Sequence, residues 1–160
     1  KLRVIGNRSR FSSKLIDLIE WAERSTSGNT GLNLTLALDY GGRQEITEAV
    51  KMLVSEVESG ILSVDEIKDD VVKSRMSSVA LPDIDLLVRT GGEQRISNFM
   101  LWDMSYAELY FTPVLWPDFS QTDLQQAVED CSARDRRFGG DTVVDIQNRV
   151  TSLAGKRRSS

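Results

Sequence analysis

The chain reads as an α/β domain, a parallel sheet with flanking helices. Three observations predict this class. Short apolar runs, such as Leu2-Arg3-Val4-Ile5 and Leu86-Leu87-Val88, alternate with longer stretches whose apolar residues recur at helical spacing. The connections between them are short, which together with the alternation implies right-handed crossovers between parallel strands. Polar, arginine-bearing motifs follow the apolar runs, where the carboxyl ends of parallel strands present them to a ligand.

Taken in order, residues 2–6 form the first strand. Ser12 or Ser13 caps a helix to about Arg24, with Leu15, Leu18, Ile19 and Ala22 on its inner face. Residues 26–31 are a loop rich in Gly, Asn, Ser and Thr, and residues 32–38 are the second strand. A helix over residues 44–58 turns Ile46, Val50, Leu53, Val54 and Val57 inward. Ser63 with Glu66 makes a capping-box signature for a shorter helix to about Lys73. The third strand follows Asp85, residues 99–106 make a helical turn, and residues 108–111 are a short strand. Pro113 and Pro117 punctuate a loop, and Ser120 caps a last helix to about Arg137. Residues 1–140 thus form part of one domain, and residues 141–160 a polar tail with Lys156-Arg157-Arg158 near its end. Because residue 1 is Lys and the chain opens directly in a strand, it is expected to be a piece of something longer.

Composition excludes several chemistries. With no histidine, imidazole catalysis and His-ligated metals cannot come from this chain. The single Cys131 rules out an internal disulfide and fits a reducing compartment. A net charge of −4 argues against a broad nucleic-acid surface, so no nucleic-acid partner is expected. No apolar run approaches the roughly 20 residues of a membrane span, and no signal-peptide pattern is present. Arginine outnumbers lysine 14 to 6, a bias that suits local phosphate recognition.

The most informative segment is residues 85–111, D-L-L-V-R-T-G-G-E-Q-R-I-S-N-F-M-L-W-D-M-S-Y-A-E-L-Y-F. Arg89, Gly91, Gly92, Glu93, Arg95 and Ser97 gather at the carboxyl end of its strand. Glycines there let backbone approach a ligand, and guanidinium forks bind phosphate oxygens in bidentate fashion. This is a site suited to a phosphorylated or diphosphorylated substrate. Asn7 to Arg10 and Asp39 to Arg43 follow the other two strands, so arginines from several strand ends are expected to converge on one crevice.

R-V-I-G-N-R-S-R-F, L-N-L-T-L-A-L-D-Y-G-G-R-Q-E-I, the 85–111 segment with its V-L-W-P-D-F continuation, and D-R-R-F-G-G resemble the cis-prenyltransferases of the undecaprenyl diphosphate synthase type. The resemblance runs from Leu2 to Gly140. It implies a transferase that extends an allylic diphosphate, such as farnesyl diphosphate, with isopentenyl diphosphate to make a long-chain polyprenyl lipid carrier for cell-wall precursors. It implies that Arg89, Arg95, Ile96 and Ser97 hold isopentenyl diphosphate, and that Glu108 is a metal-associated glutamate for Mg²⁺. Arg137 and Gly139 match an R-x-G element that reaches into the partner's site, so a homodimer with sites completed in trans is implied. Gly41-Gly42-Arg43 matches a structural turn. A cytoplasmic location, with peripheral membrane contact for the lipid product, belongs to the same set of expectations.

The family's D-G-N-G-R-W motif is absent from this sequence, so no catalytic residue is nominated in the chain. The Mg²⁺-binding aspartate is expected upstream of Lys1, and the chain alone is expected to be inactive. Gln94 stands where the family often has a histidine, and Asp39 and Asp103 stand where Asn and Gln are common. Plainer readings stay open at single positions. Arg89 and Arg95 can pair with Glu93 or Asp85, Ser97 can cap a turn, Glu108 can be an arginine's partner, and Arg137 can be a helix-end charge. Phe99, Trp102, Tyr106, Tyr110 and Phe111 suit a core or a dimer interface better than a tunnel wall. The alternative function is a non-catalytic accessory subunit of a heteromeric cis-prenyltransferase, a class that keeps R-x-G but usually lacks the substrate motif.

Overall fold

Parallel strands organise the chain, as the alternation predicts, in two hydrogen-bonded pairs. A computed structural model describes residues 1–134. Strand β1 (Leu2–Ile5) pairs with β2 (Leu34–Ala37), with Ile5 opposite Ala37; β3 (Leu86–Arg89) pairs with β4 (Glu108–Phe111), with Arg89 opposite Phe111. Among the described residues no ladder joins the two pairs. Side chains join them instead. Ile5, Met100 and Met104 form one buried cluster, packed by Ala37 from the first pair and Leu87 from the second.

The helices follow their caps. α1 (Ser13–Thr26) begins at Ser12, whose hydroxyl accepts from the Leu15 amide. Of its predicted inner face only Ile19 is buried; Leu15 and Leu18 are exposed. α2 (Gly42–Glu58) starts two residues before the predicted Gln44, because Gly41 is extended and an outside group caps the first turn. Its buried stripe is Gly42, Glu45, Ala49 and Leu53, while Val50 and Val54 face solvent. Of the predicted face Leu53 is buried and Ile46 and Val57 are half-buried; glycine, alanine and an acid complete the stripe without apolar periodicity, so the pattern misplaced the rest of this face.

The Ser63–Glu66 capping box is present, but it caps only a 3-10 turn, Val64–Glu66, and α3 (Asp69–Lys73) follows separately. Residues 99–106 form bends and turns rather than one helix; Ser97 and Asn98 just before them and Met100 among them have φ of 48°, 62° and 43°. α4 (Gln121–Ser132) has the predicted Ser120 cap, here a full capping box with Asp123, and stops five residues before Arg137. No described helix is long and apolar enough to cross a membrane.

Candidate functional site

Arg89 leaves β3 at its carboxyl end, with its carbonyl taken by the Thr112 amide at 3.0 Å. The chain then reverses through Gly91 and Gly92, at φ of 86° and 81°. Left-handed backbone explains these glycines. Their amides do not face outward to cradle phosphate: Gly91 donates to the Val114 carbonyl and Gly92 to the Thr112 carbonyl, at 2.8 and 2.9 Å. The anion-binding capacity of the loop therefore rests on side chains.

Those side chains come together. Arg89 Nη1 donates to the Arg95 carbonyl and, at 2.6 Å, to Ser97 Oγ. Both acceptors are neutral, so the pairing fixes the guanidinium without cancelling its charge. Arg95 carries its own guanidinium outward, 66% exposed and paired with Glu93. Ile96, between them, packs against the buried Ile5–Met100–Met104 cluster and so ties the loop to the core. Arg89, Arg95, Ile96 and Ser97 thus occupy one short loop, as the sequence groups them.

A second cluster, polar and buried, gathers around Glu45 beside the first strand pair. Glu45, on the buried stripe of α2, accepts hydrogen bonds from the Tyr40 hydroxyl, the Ser77 hydroxyl and, at 3.0 Å, the Ser78 amide. Burial is the main cause that raises the Tyr40 hydroxyl above its ordinary range, followed by its bond to the Glu45 carboxylate and the repulsion of that charge. Tyr40 also meets Phe99 edge to face, with centroids 5.7 Å apart. Nearby, the Lys73 ammonium faces the fully buried carboxylate of Asp103, which accepts no hydrogen bond of ordinary geometry. Desolvation lowers Lys73, opposed by the charges of Asp83 and Glu45.

The first strand pair ends differently. A cleft of about 660 Å³ lies beyond the carboxyl ends of β1 and β2, lined among others by Gly6, Asn7, Asp39, Tyr40 and Glu45. Gly6, at φ 113°, is so close to the Leu38 carbonyl that any Cβ would clash. Two of the arginines here, Arg8 and Arg10, do not turn toward Arg89, whereas the Arg43 amide is held by Asn98, the neighbour of Ser97. Arg8 turns back to Glu23 and the Val4 carbonyl, at 2.8 and 2.9 Å, and Arg10 pairs with Asp39 at 3.2 Å. Carboxylates within reach captured them, an outcome that residue type and strand position alone do not specify.

Glu108 opens β4 opposite Leu86, at the far end of the ladder from Arg89, roughly 10 Å away at about 3.3 Å per residue. Its carboxylate accepts from Arg134 Nη1 at 2.9 Å, and Arg134 also reaches Asp130. Among the described residues no group of three or more acidic or cysteine side chains is placed to hold a metal ion. The described residues alone thus supply no complete Mg²⁺ ligand set, and Glu108 is here an arginine's partner. Arg137 and Gly139 lie outside the described residues. Sequence reasoning missed Glu45, Asn98 and the Lys73–Asp103 pair. A buried acid inside a helical stripe has no signal of its own, and the partners of Asn98 and Asp103 lie far away in sequence.

Comparison with known proteins places this geometry. The family described as "Putative undecaprenyl diphosphate synthase" matches residues 1–139. An isoprenyl transferase of Rhodopirellula baltica is 46% identical over 140 residues, covering 88% of this chain and 57% of that protein. The ditrans,polycis-undecaprenyl-diphosphate synthase ((2E,6E)-farnesyl-diphosphate specific) of Escherichia coli is 48% identical over 140 residues, covering 88% and 55%. The chain spans about half the length of the curated relatives it matches. The crystal structure of lavandulyl diphosphate synthase from Lavandula x intermedia, in complex with dimethylallyl diphosphate, superposes with a TM-score of 0.85 at 39% identity. That match covers 88% of this chain and 60% of the other.

Proposed function

Because this chain belongs to the undecaprenyl diphosphate synthase family of prenyltransferases, we propose that the protein carrying it extends an allylic diphosphate with isopentenyl diphosphate. The condensation is cis, the starter is of the farnesyl diphosphate type, and the product is a long-chain polyprenyl diphosphate. The observation that carries the reading is the Arg89 guanidinium, held by the neutral Arg95 carbonyl and Ser97 hydroxyl with its charge uncancelled among the described residues. A diphosphate takes such a fork in bidentate fashion. Arg95, outward and exposed, exchanges Glu93 for a second set of phosphate oxygens. The Ser97 hydroxyl adds a donor, and Ile96 keeps the loop on the core.

In this role the chain's residues bind and aim. Fixing isopentenyl diphosphate by its diphosphate holds the alkene toward the allylic carbon, and orientation of this kind accounts for several kcal/mol of a barrier, about 7–11 at most. The allylic C–O bond breaks, a C–C bond forms, and diphosphate and a proton leave. Mg²⁺ enters this reading through the family alone and is assigned no step here. The homodimer with Arg137 and Gly139 acting in trans, and contact with a membrane for product release, are parts of the same proposal. The intact R-T-G-G-E-Q-R-I-S-N string favours a catalytic subunit over an accessory one. Incubating the full-length protein with farnesyl diphosphate, labelled isopentenyl diphosphate and Mg²⁺ should give extractable polyprenyl diphosphate. Recovery of unextended starter alone, from folded protein, overturns the proposal.

A further inference from the structure

We propose that Asn98 is a positioning residue that caps helix α2 from a distance and thereby holds Ser97, and through it Arg89, in the diphosphate-binding arrangement. The inference rests on the function proposed above and adds a residue to its site. Gly41, the residue before α2, supplies no side-chain cap. A helix start leaves backbone amides that need acceptors. Asn98 provides two of them: its carbonyl accepts from the Gly42 amide at 2.7 Å and its Oδ1 accepts from the Arg43 amide at 2.8 Å. The contact presses backbone against Gly42 and the Asn98 amide against Gly41. A Cβ on Gly41 would lie 2.9 Å from Asn98 Nδ2, and one on Gly42 would lie 2.8 Å from Leu101 and 3.2 Å from the Asn98 carbonyl.

The same residue sits in a strained run. Ser97, Asn98 and Met100 are all left-handed, a conformation that non-glycine residues hold only when surroundings impose it. Asparagine tolerates it best, and the α2 amides supply the imposing bonds. Ser97 is the next residue back, and its hydroxyl is the acceptor for Arg89. Removing the cap frees the run to relax toward right-handed backbone and carries the Ser97 hydroxyl away from Arg89. The guanidinium then loses one of its two neutral anchors while keeping its charge, so binding weakens without the loss of any ligand-contacting group.

The test compares full-length wild type with Asn98→Ala, Asn98→Gly, Arg89→Ala and Ser120→Ala. Ser120→Ala removes a comparable cap, that of α4, and serves as the control for simple helix destabilisation. Two readouts are taken: the Michaelis constant for isopentenyl diphosphate beside kcat, and amide hydrogen exchange. Asn98→Ala should raise the Michaelis constant roughly tenfold or more, with a smaller change in kcat, as expected when a binding group is misplaced by a fraction of an ångström. It should also speed exchange at residues 42–43 and 96–100. Asn98→Gly keeps left-handed backbone accessible and should fall between Asn98→Ala and wild type. Ser120→Ala should change exchange near residues 120–124 and leave the Michaelis constant alone. If Arg89→Ala is impaired and Asn98→Ala is not, the positioning role is overturned and the site reading stands. If Arg89→Ala behaves as wild type, the site reading fails, and exchange alone decides the cap: unchanged protection at residues 42–43 in Asn98→Ala overturns it as well.

Discussion

The two strand pairs end in arginines of opposite fate. At the end of β1–β2, Arg8 and Arg10 are each met by a carboxylate, Glu23 and Asp39, and contribute little net positive charge to the cleft beside them. At the end of β3–β4, Arg89 is met by a carbonyl and a hydroxyl. An arginine in an ion pair is held in place and neutralised; one held by neutral oxygens is equally fixed and still attracts an anion. The type of acceptor, more than the presence of arginine, separates an end whose arginines are neutralised from one whose arginine keeps its charge.

The largest expected effect comes from the buried Lys73–Asp103 pair, which lies beside the entry to β3 and away from Arg89. Lys73→Met leaves the Asp103 carboxylate buried without its cation, which should destabilise the fold by about 3–5 kcal/mol, read from urea denaturation. Changing both residues together, Lys73→Met with Asp103→Leu, should restore most of that loss. A single substitution with no effect on the denaturation midpoint would mean that the charge is compensated elsewhere.

The contrast itself predicts a smaller, local difference. Arg89→Ala should weaken isopentenyl diphosphate binding by about 1.5–3 kcal/mol, roughly 10- to 150-fold, in a calorimetric titration of the full-length protein. Arg10→Ala, which breaks a pair whose arginine is 75% exposed, should alter binding less than about twofold and stability by under about 1 kcal/mol. Equal losses from the two substitutions would erase the distinction drawn between the strand ends.

The smallest effect is a pH dependence at Arg75, which lines the cleft beyond β1–β2. Arg75 clasps Glu56 through Nε and Nη2, both at 2.7 Å, and holds its carboxyl below the ordinary value of 4.5. A carboxylate lowered on folding contributes its stability fully above the unfolded value, and loses it as pH falls through the folded one. Glu56→Gln should therefore flatten the acid limb of the stability profile below about 4.5 and cost a constant amount at neutral pH. An unchanged acid limb would show that the clasp does not feel protonation.

Much of this was legible from local signals. Ser12 and Ser120 announced their helices because a cap is a contact three residues long. The four strands and their parallel direction followed from short apolar runs alternating with helices, and the 85–111 string grouped Arg89, Arg95, Ile96 and Ser97 because one tight turn brings them together. The resemblance named the family from motifs, and the comparisons bear it out. Tertiary structure alone decided the rest. The partners of Arg8, Arg10 and Glu108 are carboxylates and arginines 15, 29 and 26 residues away, and a charge has no preference among them until the fold sets the distances. The cap of α2 comes from Asn98, 55 residues from the amide it serves, at a left-handed backbone position that no local signal announces. Local spacing determines which elements form; long-range packing determines which polar groups are satisfied, and therefore which arginine keeps its charge for a ligand.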